Sequence, residues 1–394
     1  MDRQEPDHGI THLFVGKDPF FRLQRAIGLA PSHDLGVKRR ALFFALLCWV
    51  PIVVPASLAG RAFGGEISEP LLLHFAIHSR CLIAIPLFII GESALLRLES
   101  LIRHFVVSGL VGESSMPKFR AALNTADRLL NSWWIFAILV SLVTANVIFA
   151  VQQFERLHEA SWAIDRDTDP IGLIFAGWWY LLVLRPIFSF LIGLWVWRVV
   201  VFGILLLRVS KLDLELVPVH PDRAGGLGFL GMAPQVFIPF ILGVSMVLAS
   251  HFAHSVLYHG ARVESLRMPM ALYVMLALSL CLGPLLVLIG KLKRLRRKAL
   301  LDYGALAGQH GRLVDRRWIR GETVRDDALL NAPELGPVAD VRSMHEAVSA
   351  VRMVPIGRQT VITLFAAAAL PMVPVLAIEI PVIDLLKMLA GYLF

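Results

Sequence analysis

Charged residues are scarce in this chain: Asp, Glu, Lys and Arg together make up only 17% of its 394 residues. A water-soluble domain carries roughly a quarter, so water is not the main solvent of this surface. Cysteine is rarer still. Cys48, Cys81 and Cys281 all lie inside apolar stretches without CxxC spacing, which excludes a zinc ribbon or dithiol redox motif and leaves buried thiols as the expectation. An HExxH motif, a nucleophile–base constellation and paired carboxylates within an apolar stretch are all missing, so enzymatic chemistry has no visible foothold. Residues 1–40 are polar and lack an apolar core with a small-residue cleavage site. No cleavable signal peptide is therefore expected, and the first apolar block would act as an uncleaved anchor.

Apolar residues are abundant, at 57% of the chain with a mean hydropathy of +0.68. They come in blocks close to the roughly 20 residues that cross a ~30 Å hydrocarbon layer as a helix. Candidate spans cover 41–59, 72–94, 133–151, 171–208, 234–257, 269–290 and 360–378. The expected fold is all-α, a polytopic transmembrane helix bundle of about seven spans, kinked at Pro86, Pro186, Pro239, Pro284, Pro371 and Pro374. The fourth block is ambiguous, because as one helix it would be about 57 Å long. Trp178, Trp179 and Tyr180 lie about 25 Å along a helix from Trp195 and Trp197, the separation of two interfacial belts, which favours one crossing. The turns from Val199 to Leu207 would then need cover from protein or headgroups. No internal repeat is visible.

The net charge is +8, but nucleic-acid binding is not expected, because the basic residues flank apolar blocks as orientation signals do. With a single fourth crossing, 29 of the 38 Lys and Arg residues fall on the side of the N-terminus. The positive-inside rule makes that side cytoplasmic, and the expected membrane is of the bacterial inner type. Four regions follow. Residues 1–40 are a cytoplasmic segment with a short interfacial helix around Phe20–Leu29, and 41–290 are a membrane domain of six spans. Residues 291–358 form a basic cytoplasmic lobe, and 359–394 hold the last span and an interfacial C-terminal helix. The lipid bilayer is the expected partner, with anionic lipids against Lys291–Lys298. Nothing in the sequence specifies a cofactor or an oligomeric state.

The loop after the fourth span reads His220-Pro221-Asp222-Arg223-Ala224-Gly225-Gly226-Leu227-Gly228-Phe229-Leu230-Gly231. Its formal GxGxxG lacks the soluble βαβ unit of a dinucleotide site. Its glycines would instead let backbone amides converge at the start of the fifth span beside Arg223. An anion at His220, Asp222, Arg223, Gly225, Gly226 and Gly228 is one expectation, and a tight packed turn is the other. Further residues of note are His78-Ser79-Arg80 with Ala84, Pro86, Leu87 and Glu92, and Leu335-Gly336 through Asp340-Val341-Arg342-Ser343 to Met353-Val354-Pro355. Together with the loop, these resemble a family of uncharacterised bacterial multi-pass membrane proteins, from about residue 18 to the end. The resemblance implies membership and no activity, and the chain departs from the pattern around Met344-His345-Glu346.

A second cluster lies at the outer ends of the spans. His74 and His78 share a face of the second span, and His251 and His254 lie near the end of the fifth, close to His259. Arg80 and Arg185 fall at similar depth, and no acid lies in the outer half of any span. Each Arg near the bilayer centre costs about 2.5–3.5 kcal/mol on insertion scales. His74, His78, Arg80, Arg185, His251 and His254 are therefore expected to share an outward-opening cavity. Alternatively, Glu155, Glu159, Asp165, Asp167 and Asp169 of the outer loop fold over and pair with them. Three functional classes stay open: permeation or binding of a small anion, a haem- or metal-binding redox protein, and a non-catalytic sensor or assembly partner.

Overall fold

A computed structural model describes residues 13–16, 18–31, 34–63, 69–153, 162–165, 172–323 and 336–378. Seven helical stretches among them are long and apolar enough to cross a membrane, so the chain is a multi-pass helical membrane protein. A short helix, α1 (Pro19–Ala26), precedes the first span, α2 (Val37–Leu58). The second is α3 (Phe75–Val107). An amphipathic helix, α4 (Met116–Leu130), leads to the third span, α5 (Trp133–Gln153). The fourth is α6 (Phe175–Val209). A stretch of 3-10 turns (Gly228–Phe237) opens the fifth, α7 (Ile238–His259), and the sixth is α8 (Val263–Leu286). Two helices, α9 (Ile289–Val314) and α10 (Gly336–Ser349), pack against each other before the last span, α11 (Arg358–Leu376). The expected C-terminal interfacial helix, 379–394, lies outside the described residues.

The fourth block is one continuous helix, in line with the single crossing expected. Its tryptophans do not form the second belt expected from their spacing. Trp195 is fully buried, donating its indole N–H to the Phe88 carbonyl at 3.2 Å and stacking on Phe240. Trp197 donates to the Leu129 carbonyl at 3.2 Å. Both indoles meet backbone acceptors on neighbouring helices, so burial satisfies them better than an interface would. The turns beyond them are covered by protein: Val199, Phe202, Leu205 and Leu206 are buried, and α4 and α8 pack along α6.

Helices α3, α6 and α7 form the centre. Small residues let α3 and α7 approach closely, as small residues do in membrane interfaces. A Cβ on Gly243 would lie 2.6 Å from the Phe88 ring, and one on Gly91 2.8 Å from Pro239. In contrast, only 6% of the apolar window in Met116–Ala150 is buried, so α5 faces lipid almost all round.

Both α3 and α6 contain a π-helical turn, Ser79–Ala84 and Tyr180–Leu184, each ending just before a proline, Pro86 or Pro186. A helical proline has no N–H and its ring crowds the carbonyl four residues back, here Leu82 or Leu182. A widened turn relieves that crowding. The two turns meet: Arg80 donates to the Tyr180 hydroxyl at 2.7 Å, and Phe88 stacks on Phe188 at 5.9 Å. Ile85-Pro86-Leu87-Phe88 and Arg185-Pro186-Ile187-Phe188 are thus a local correspondence that hydropathy alone does not reveal.

Candidate functional site

The histidines gather where α7 ends and α3 begins. The approach to α3 is pinned by Leu71 N–H to the Arg61 carbonyl and Leu72 N–H to the Ala62 carbonyl. After Pro70 a single 3-10 turn, Leu71–Leu73, delivers His74 to the start of α3. Helix α7 carries His254 near its end and stops at His259, because Gly260 takes the left-handed conformation (φ +63°) that a C-terminal cap requires. Glu69, from the loop before α3, stands between these elements. Its Oε2 lies 3.2 Å from His254 Nε2 and 3.5 Å from His74 Nε2, and its Oε1 lies 3.4 Å from His259 Nε2. Glu69, His74 and His254 are buried, and buried Trp162 covers the His74 ring edge-on. His259 is the most open member, with about a third of its side chain exposed at 32%.

Proton accounting at His254 is the informative detail. Its Nδ1 lies 3.2 Å from the Leu73 carbonyl and its Nε2 3.2 Å from the Glu69 carboxylate, both of them acceptors. A neutral imidazole has one N–H and can satisfy only one of them. With the proton on Nδ1, the Nε2 lone pair faces a carboxylate, so either a second ring proton or a metal ion must lie between them. The His74 Nε2 is buried with no hydrogen-bond partner. Ligand atoms of Glu69, His254 and His259 lie within 4.8 Å of one another, close enough to hold one metal ion.

The cluster takes in only part of the set expected from the sequence. His74 and His254 come together, their rings 4.6 Å apart. His78 turns to Trp49, whose indole N–H donates to its Nδ1 at 3.0 Å, and its Nε2 meets the Leu71 carbonyl. Arg80 lies on Tyr180 and over the Phe188 ring. Arg185 donates to Asn146 Oδ1 at 3.0 Å on an exposed flank between α5 and α6. His251 is half-buried beside Phe252. The central acid is one the sequence reading passed over: Glu69 lies in a connecting loop, where span periodicity gives no signal. Glu155, Glu159, Asp167 and Asp169 lie outside the described residues, as does the side chain of Asp165.

The glycine loop does make its amides converge, but on a carboxylate of its own. Asp222 accepts from the backbone N–H groups of Ala224 at 2.8 Å, Gly226 at 3.2 Å and Gly228 at 2.7 Å, with His220 Nδ1 also 2.8 Å away. Three amides thus already serve Asp222, and the expected anion site at His220, Asp222, Arg223, Gly225, Gly226 and Gly228 has this carboxylate at its centre. Burial raises the Asp222 pKa, but the amides and His220 outweigh it and hold the carboxyl below its usual range. Arg223 takes a positive φ of 55°, and its carbonyl accepts from Arg352 N–H at 2.7 Å. Gly231 packs so tightly that a Cβ would lie 2.6 Å from the Pro355 carbonyl. The loop is a packed turn that ties α6 to the approach to α11.

At this basic end a second buried network joins α1, α2, α3 and α6. Glu92 receives Arg40 Nη1 at 2.6 Å and Arg198 Nη2 at 2.9 Å. Arg198 also reaches Asp18 at 3.3 Å, and Arg40 Nε donates to Gln24 Oε1 at 2.6 Å. Asp18 at the same time caps α1 through Phe21 N–H at 2.8 Å. Phe20 and Phe21 turn inward, so α1 is docked into the bundle rather than merely resting on a lipid face.

Compared with protein-family models, curated proteins and solved structures, the chain matches none. The functional reading therefore rests on the chemistry of these sites.

Proposed function

We propose that this protein binds a divalent transition metal of the zinc class at Glu69, His254 and His259, with the buried His74 beside the site. The observation that carries the reading is His254, whose two ring nitrogens both face acceptors. A metal on Nε2 with Nδ1–H on the Leu73 carbonyl is the usual arrangement of a ligating histidine. The spacing is compatible: ligands 2.0–2.1 Å from a tetrahedral ion lie about 3.3–3.4 Å apart, and the Glu69 oxygens lie 3.2 Å from His254 Nε2 and 3.4 Å from His259 Nε2. Imidazole and carboxylate donors suit zinc and its neighbours. The three ligands come from the approach to α3 and from the end of α7, so the ion would clamp one onto the other.

A haem reading has less support, because the His74 and His254 rings, 4.6 Å apart and tilted by 30°, leave no porphyrin slot between them. Anion passage keeps one supporting observation, the Arg80 Nε, which is buried without an acceptor. Charge asymmetry supports a cytoplasmic N-terminus, which in the bacterial inner membrane proposed for this chain would place the metal site on the outer side.

The test is metal content. Protein purified in detergent, stripped by chelator and reloaded with zinc should retain one ion per chain. Glu69→Gln and His254→Ala should each weaken binding by more than the about 10–100-fold that an outer-shell residue supplies. Retention of zinc, copper or nickel at the same level in both variants would overturn the proposal.

A further inference from the structure

A groove of about 580 Å³ lies at the basic end, just past the points where two spans stop. Helix α6 ends at Val209 and α8 at Leu286, and the groove's walls are the residues that follow, 210–216 and 287–298. Helix α8, 24 residues long, is about one membrane crossing, so a groove just past its end falls near headgroup level. Lys211, Lys291, Arg294 and Lys298 line it against a single acid, Asp213, over a floor that includes Leu216, Val287 and Leu295.

The cations are arranged for this surface. Lys291, Arg294 and Lys298 are spaced i, i+3 and i+7, hence on one face of α9. Other members of the same basic run are directed elsewhere: Arg296 donates to the Ser349 carbonyl at the end of α10, and Lys293 and Arg297 are exposed outside the groove. Among the described residues, none of the four groove cations appears in an ion pair. Burial pulls the Lys291 pKa below the ordinary lysine value, with Asp213 opposing. Across Lys211 a second groove, of about 560 Å³, adds Lys118 and Arg208 to the rim.

We infer that the groove between the 210–216 segment and α9 is a binding site for an anionic phospholipid, its phosphate held by Lys211, Lys291, Arg294 and Lys298. A free phosphate would need the cations but not the apolar floor. A lipid needs both, because its glycerol and upper acyl carbons continue from the headgroup into the hydrocarbon layer. The site is independent of the metal cluster, which lies at the opposite end of the bundle.

The test uses full-length protein reconstituted in phosphatidylcholine vesicles with a minority of phosphatidylglycerol, followed by native mass spectrometry of lipid retained after mild extraction. Wild type should retain phosphatidylglycerol selectively. The triple variant Lys291→Gln, Arg294→Gln, Lys298→Gln should lose at least about tenfold of that preference. The variant Lys293→Gln, Arg297→Gln, altered in the same run but outside the groove, should keep it. Equal loss in both variants would reduce the effect to diffuse charge and overturn the proposal. So would displacement of the lipid by millimolar inorganic phosphate, which would mark a phosphate site. Circular dichroism of each variant separates lost binding from lost fold, and a misfolded triple variant is replaced by the single change Arg294→Gln, with the same expected direction.

Discussion

Replacing Glu92 by Gln should destabilise the bundle well beyond an ordinary polar substitution. The Glu92 carboxylate holds two guanidinium groups, Arg40 at 2.6 Å and Arg198 at 2.9 Å, whose side chains are 0% and 2% exposed. Burial raises the Asp18 carboxyl above its usual range against the pull of Arg198, so Glu92 is the main counter-charge of the two arginines. Gln keeps the shape but leaves one positive charge uncompensated, and its amide N–H₂ points a donor at one of the two arginines. Removing one partner of a buried ion pair costs about 3–5 kcal/mol, whereas neutral polar couplings inside membranes average only about 0.6 kcal/mol. The charged case applies here, so a loss of about 3 kcal/mol or more is expected. Unfolding of purified protein by titrated SDS in mixed micelles, followed by tryptophan fluorescence, measures it. The double variant Glu92→Gln, Arg40→Gln removes one positive charge together with the negative one and should recover at least about 1 kcal/mol relative to additivity. A single-variant loss below about 1 kcal/mol, or strict additivity in the cycle, would refute the argument that this network is held by charge.

Two further outcomes are expected. The Asp222 carboxyl has a depressed pKa in the folded protein, so its contribution is full above the unfolded carboxylate range and is lost as pH falls through the lower folded value. The melting-temperature gap between wild type and Asp222→Asn should therefore be steady near neutrality and narrow only below about pH 4; no gap at neutral pH would show that the loop does not depend on this carboxylate. For the proposed orientation, a reporter fused after Lys298 should read as cytoplasmic and one inserted between 155 and 169 as external, and the reverse result would invert the topology.

Sequence by itself determined the solvent and the architecture. Apolar blocks of membrane-crossing length dictate seven helical stretches, since only helices satisfy every backbone group within a lipid-exposed segment. Charge parity was enough to favour a single crossing for the fourth block. The rest depended on which helices became neighbours, information that hydropathy does not carry. Trp195 and Trp197 are spaced like an interfacial belt, yet carbonyls of Phe88 and Leu129 take them inward. Asp222 looked like one more polar residue beside an anion nest until the fold closed three amides around it. His74 and His254 were legible as a pair at matching depth, because depth follows from helical rise. The metal-like geometry was not, because it depends on Glu69, a loop residue set by the chain's path between Arg61 and His74. Long-range pairings decide such positions, as do the contacts of Arg40 and Arg198 with Glu92, since lateral order in a bundle is set by side-chain packing rather than by local periodicity.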